Sequence, residues 1–109
     1  MQTTIPSIEE ILALDNRIER VEALPEFILR IHYSDGAVYL LDFKPEIARG
    51  GVMSALSDPG VFERVRVTQD GEAIEFPGEV DFCADALRWD AELASRGLTR
   101  ADAASITAR

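Results

Sequence analysis

The chain carries one histidine, and it stands in the stretch Arg30-Ile31-His32-Tyr33-Ser34-Asp35-Gly36, which also supplies an acid. With Asp42 further on, His32 and Asp35 are the residue types that general acid–base catalysis pairs, provided they come within hydrogen-bond reach. The single cysteine, Cys83, precedes a segment of helical periodicity, and a helix N-terminus can lower a thiol's pKa and make it nucleophilic. Three acids, Glu79, Asp81 and Asp85, crowd the same region and raise the question of a divalent cation.

Each candidate also has a plainer reading. A short carboxylate in a turn, such as Asp35, accepts backbone amide hydrogen bonds. A nucleophilic cysteine needs a base, and the histidine belongs to a different segment; free cysteines are mostly small buried hydrophobes. Acids near a helix start interact favourably with its dipole, and the oxygen-rich Asp-x-Asp-x-Asp-Gly loop of a calcium site is absent. There is no P-loop, dinucleotide glycine motif, His-Glu-x-x-His or nucleophile elbow. One histidine and one cysteine exclude a structural zinc site within one chain. No catalytic residue, metal or cofactor is therefore expected.

Composition narrows the function classes. Eleven basic residues against twenty acidic ones give a net charge of −9, which repels nucleic acid and anionic membranes. Ten of the basic residues are arginine and only Lys44 is lysine, a balance that reads as coding bias. At 47% hydrophobic residues over 109 positions, the chain can bury a core. No apolar run approaches the roughly 20 residues that span a bilayer, and the first residues lack a signal-peptide pattern. A cytoplasmic protein with no direct nucleic-acid or membrane partner is expected.

The elements that must position these residues follow from periodicity. Ser7 and Glu10 form a capping box ahead of Ile8, Ile11 and Leu12, predicting a helix from Ser7 to Leu14. The Arg17–Leu24 stretch reads as a strand broken by Pro25. A hairpin follows, and its register can be argued. A two-residue Asp35-Gly36 loop pairs Ile31 with Leu40 and mixes the faces. A three-residue loop, Ser34-Asp35-Gly36, pairs Ile31 with Tyr39 and Leu29 with Leu41. That puts Phe27, Leu29, Ile31, Tyr33, Tyr39, Leu41 and Phe43 on one face, and burial selects it. The matching turn is type I with Gly36 left-handed. His32, beside Val38, then lies on the opposite face with Arg30 and Asp42, some distance from Asp42.

At the second Asp-Gly pair the same reasoning chooses a two-residue, type I′ Asp70-Gly71 turn, pairing Val67 with Ile74 and Val65 with Phe76. Between the hairpins, Pro45 opens a helical turn that Gly50-Gly51 ends, and Asp58-Pro59 caps another. Val52, Leu56, Val61 and Phe62 are expected to cap the sheet. After the extended Glu79–Cys83 piece comes a helix ended by Gly97, with Ala86, Trp89 and Leu93 along one side. Thr99 and Asp102 sign a last helix too short and polar to stand alone.

The runs Val21–Pro45, Leu56–Val67 and Ala73–Arg88 carry a strand, a hairpin turn, an Asp-to-Pro turn, Leu-x-Asp-Pro-x-x-Phe-x-x-Val-x-Val and an acidic-hydrophobic close before a helix. In this order and spacing, they resemble the bacterial domain-of-unknown-function family 2442 over about residues 18–89. The resemblance implies a small α+β domain with no established activity and no catalytic residues to carry over. Some relatives have a fused helix-turn-helix domain, and some stand beside small partners in toxin–antitoxin-like pairs.

The expectation is thus an α+β fold: a small antiparallel sheet built from two hairpins, short helices between them, and a helix at each end. Residues 1–17 form an N-terminal helical extension, 18–89 the core domain and 90–109 a C-terminal extension. Ile28, Val38 and Leu40, around Arg30 and His32, make the outer hairpin face too apolar for open solvent, and Trp89 with Leu93 offers a second surface. The function expected is a non-catalytic interaction or regulatory module, antitoxin-like in the family's context, forming a homo-oligomer or binding a small protein. The alternative is a ligand-binding domain or enzyme using His32 or the Glu79, Asp81 and Asp85 acids.

Overall fold

The computed structural model describes residues 7–102. The closing segment expected to be helical extends beyond Asp102, and that part lies outside the described residues, as do residues 1–6. The chain runs α1 (Ile8–Leu12), β1 (Ile18–Leu24), β2 (Ile28–Tyr33), β3 (Val38–Asp42), α2 (Lys44–Ala48), a 3-10 segment (Gly51–Ser57) and α3 (Pro59–Phe62). It continues through β4 (Arg66–Val67), β5 (Ala73–Phe76), β6 (Val80–Cys83) and α4 (Ala84–Ala94). The class is α+β, and each hairpin gains a third strand. Two three-stranded antiparallel sheets result, β1-β2-β3 and β4-β5-β6.

The first hairpin has the three-residue loop. Leu29 pairs with Leu41, Ile31 with Tyr39 and His32 with Val38. Gly36 takes φ +95, its N–H donates to Tyr33 O at 3.0 Å, and Tyr33 N–H donates to Ala37 O at 2.8 Å. Along β2 the residues alternate between half-buried and buried, so Leu29, Ile31 and Tyr33 point into the core with Leu41 and Phe43. Phe27 departs from the strand assigned to it. It sits in the three-residue turn from β1 to β2 with φ +60, after Glu26 at φ +65, and its ring meets Phe62 edge-on at 5.3 Å.

The second hairpin keeps the argued register, with Val67 opposite Ile74, but not the type I′ turn. That turn needs positive φ at Asp70, and only Gly71 has it. Instead Gly71 N–H donates to Thr68 O at 2.9 Å, and Thr68 N–H to Ala73 O at 2.9 Å, leaving a four-residue loop. Side chains decide this. Asp70 accepts from the Thr68 hydroxyl and the Glu72 amide, and the Thr68 hydroxyl accepts from Ala73 N–H.

Between the hairpins, Asp58 caps α3 through Gly60 N–H and Pro59 follows it, as expected. Val52 does not cap the sheet: it is 72% exposed. In a 3-10 segment residues three apart share a face, so Met53 and Leu56 turn inward and Val52 outward. The core joins both sheets through aromatic contacts: Phe43 lies 5.1 Å from Phe82 and 6.0 Å from both Phe62 and Phe76, centroid to centroid. A main-chain bond from Ile18 N–H to Gly71 O, 2.8 Å, ties the start of β1 to the β4–β5 loop.

Helix α4 closes the core, but on a different stripe from the one expected. Ala84, Leu87, Arg88 and Ala91 are buried along it, positions spaced three and four apart. Leu93 is wholly buried, so it presents no surface, and Trp89 is half-buried with the Arg100 guanidinium 5.4 Å from its ring. The short helix α1 docks on α4 with Ile11 buried, which attaches the N-terminal extension to this same chain.

Candidate functional site: an open sheet face and the cluster behind it

The outer face of the first sheet is set by the alternation that buries the inner one. In the β1–β2 register Arg20 faces His32 and Glu22 faces Arg30, which brings four charged or titratable side chains together. His32 Nε2 lies 2.8 Å from Glu22 Oε1, and Arg30 and Arg20 approach the same oxygen at 3.4 and 3.5 Å. Arg20 Nη2 is also 3.2 Å from His32 Nε2. That nitrogen can donate to Glu22 or accept from Arg20, not both at once. The hydrogen bond from His32, followed by the nearby arginines, holds the Glu22 carboxyl below its ordinary pKa despite some desolvation.

Beside this cluster, toward the β3 edge, the face is apolar and open. Val38 is 53% and Leu40 62% exposed, and Ile28 is half-buried. Asp42 turns back to Lys44, whose Nζ is 3.1 Å away, so it does not join His32.

The inner side of the hairpin tip holds a charged group that the sequence pattern did not single out. Arg88 is 5% exposed. Its Nη2 meets Asp35 Oδ2 at 2.8 Å, its Nε donates to Tyr39 OH at 3.2 Å and its Nη1 to Asp15 O at 3.2 Å. The guanidinium also stands 4.8 Å from the Tyr33 ring centroid and 5.6 Å from that of Tyr39. Burial disfavours the charge, yet the bonds to Asp35 and Tyr39 outweigh it and hold Arg88 protonated more firmly than usual. Asp35 is the turn residue expected, accepting from Ala37 N–H at 3.0 Å. That bond first, and Arg88 second, lower its pKa. Tyr39 donates to Glu92 Oε2; burial and then this bond push its phenol pKa up. The buried Ser34 hydroxyl has no hydrogen bond of good geometry. It still faces the Asp15 carboxylate, where it is the largest influence lowering that pKa.

The other candidates are not assembled. Glu79 occupies the β5–β6 turn with φ +64, Asp81 points outward from β6, and Asp85 binds the Ala86 amide at 2.7 Å. Among the described residues no three His, Cys, Asp or Glu side chains come together as a metal site requires. Cys83 is exposed rather than buried, because β6 alternates and turns Val80 inward. Two shallow, wide grooves are present, one between the start of β1 and the β4–β5 loop, the other beside Arg64, Arg66 and Glu79. Neither includes His32 or Arg88. No described helix is long and apolar enough to cross a membrane.

The Glu22 contribution was within reach of the sequence: setting Arg17–Leu24 antiparallel to β2 brings Glu22 and Arg20 opposite Arg30 and His32. For Arg88 the signal was fainter. Ala84, Leu87 and Ala91 draw a helical stripe that includes position 88, but a charged residue there reads as solvated.

No curated protein and no solved structure matches the chain. The sequence pattern of the family described as "Protein of unknown function (DUF2442)" matches residues 18–91, from the first residue of β1 into α4. On that match, which spans both sheets and includes Arg88 with Tyr33, Asp35 and Tyr39, the chain belongs to the DUF2442 family.

Proposed function

We propose that this chain is a non-catalytic protein-interaction module that receives its partner on the outer face of the first sheet, as a regulatory or antitoxin-like subunit. The observation that carries the reading is the pair Val38 and Leu40, both more than half exposed on a strand and beside a cluster in which His32, Arg20 and Arg30 share the one Glu22 carboxylate. Burying such aliphatic surface is favourable by roughly 25 cal/mol per Å². The His32–Glu22–Arg20–Arg30 group supplies orientation more than affinity.

The test is complex formation by the full chain, alone and with the product of the neighbouring gene, followed by light scattering and titration calorimetry. A saturable complex lost in Leu40→Lys supports the reading. A strictly monomeric chain that forms no complex with that product overturns it. A second reading, binding of a small ligand at His32, draws support from the 2.8 Å approach to Glu22. It requires the His32 ring signals to shift on titration with a small carboxylate or phosphate, and an unmoved ring refutes it.

A further inference from the structure

We infer that the partner on this face is a second copy of the chain, joined through β3 to β3 in antiparallel register about a two-fold axis at Tyr39. The inference rests on the interaction reading above and names its occupant. It starts from hydrogen-bond phase. Tyr33 N–H donates to Ala37 O and Phe43 N–H to Phe27 O, each at 2.8 Å. Alternation between these points turns the main-chain groups of Tyr39 and Leu41 toward β2 and those of Val38 and Leu40 away from it. Among the described strands none pairs with that outer edge.

Sheet edges are ordinarily guarded by charge, brevity, bulges or cover; β3 has α4 packed against it and ends on Asp42, so the edges differ in the middle of their strands. β1 has a register irregularity between Ile18 and Arg20, carries Glu19, Arg20 and Glu22, and lies against β4. β4 is two residues long and includes Arg66; β6 carries Asp81. From Ala37 to Leu41, β3 has no charge, proline or bulge.

The geometry also selects a copy of the same strand. With Tyr39 on the axis, Val38 of one protomer faces Leu40 of the other, and each pair can exchange N–H and C=O bonds in both directions. The two exposed aliphatic side chains of each protomer then form one apolar cluster on the outer face. A register two residues longer would set Val38 opposite Asp42 and lose that match. Net charge opposes association, since each copy carries −9, but no acid lies within the paired strip. The repulsion is therefore long-range and screened by salt. A strip this narrow buries less than the roughly 1,200 Å² of standard interfaces, so the dimer is weak and concentration-dependent.

Sedimentation velocity of the full chain over a wide concentration range, at low and moderate salt, tests this. A monomer–dimer equilibrium that tightens with salt is expected. Leu40→Lys should weaken it at least about tenfold, since it sets an ammonium opposite Val38 of the other protomer and brings the two introduced charges diagonally across the axis on one face; Val38→Thr, which keeps strand propensity, should weaken it less. Hydrogen exchange at the Val38 and Leu40 amides should slow as the dimer forms. A monomer at every concentration, or a dimer indifferent to both substitutions with those two amides unprotected, overturns the inference. If the monomer still forms a Leu40-dependent complex with another protein, the interaction reading survives and only the pairing of two copies fails. If it forms none, both fail.

Discussion

Replacing Arg88 by methionine tests whether the hairpin tip, α4 and the chain after α1 are held by one cation. Arg88 is 5% exposed, with Asp35 at 2.8 Å and the Asp15 carbonyl and Tyr39 hydroxyl each at 3.2 Å. Methionine preserves much of the packing volume and removes every donor. Breaking a buried pair from one side costs about 3–5 kcal/mol, because a charge is left without its partner. The Asp35 side chain is 30% exposed and keeps its bond from Ala37 N–H, so the low end applies, about 3 kcal/mol. Against the roughly 5–15 kcal/mol that stabilises a domain this is a large fraction. At about 4–8 °C per kcal/mol for a small domain, it corresponds to a Tm roughly 12–24 °C lower. Urea denaturation followed by circular dichroism measures it, and a cycle with Asp35→Asn isolates the pair. The amide oxygen of asparagine can still accept from Ala37, so the coupling reports the ion pair and should be about 1–3 kcal/mol. Arg88→Lys should not restore stability, since one ammonium cannot reach the same acceptors in a planar fork. A loss below about 1 kcal/mol for Arg88→Met, or coupling below about 0.5 kcal/mol, would refute the account.

Gly36 and Gly71 both have positive φ, but an added Cβ meets nothing at Gly36 and lies 2.9 Å from Ile18 O at Gly71. Gly36→Ala should therefore cost only the conformational penalty, about 1–2 kcal/mol, and Gly71→Ala at least 1 kcal/mol more from overpacking; equal chemical-denaturation midpoints would contradict this. Asp15, Glu22, Asp35, Asp70 and Glu92 all have lowered pKa values in the fold. Their contributions are present above the ordinary carboxylate range near 4 and lost as pH falls through the lower folded values. Tm should accordingly fall on acidification below about pH 4, less steeply in Asp35→Asn, as calorimetry across pH would show. Leu40→Lys should change monomer stability by no more than about 0.5 kcal/mol, whereas Leu29→Ala, fully buried one strand away, should cost about 2–5 kcal/mol; urea titrations at low protein concentration separate them.

Much of the first hairpin was legible because a one-residue slip exchanges the two faces of a strand. With Leu29, Ile31, Leu41 and Phe43 all needing burial, only the Ser34-Asp35-Gly36 loop satisfies the pattern. The same logic selected the pairing of Val67 with Ile74 but misjudged its turn. The Thr68 and Asp70 side chains supply local bonds that hydrophobic pattern does not record. The caps at Ser7 and Asp58 were equally readable, since a cap is a contact between residues a few positions apart. Thr99 and Asp102 likewise bond each other as their spacing implied.

The sequence by itself determined what depends on near neighbours and on periodicity: the class, the hairpin registers, the inward face of β2 and the turning of His32 to the opposite side. Only the tertiary structure decided which long-range partners those residues have. Glu22 reaches His32 because β1 joins the sheet. Arg88, 53 residues from Asp35 in sequence, is buried because the hairpin tip, two tyrosines and the chain after α1 close around it. A buried cation needs several acceptors converging from distant segments to offset its desolvation, and convergence in space has no signature in spacing along the chain.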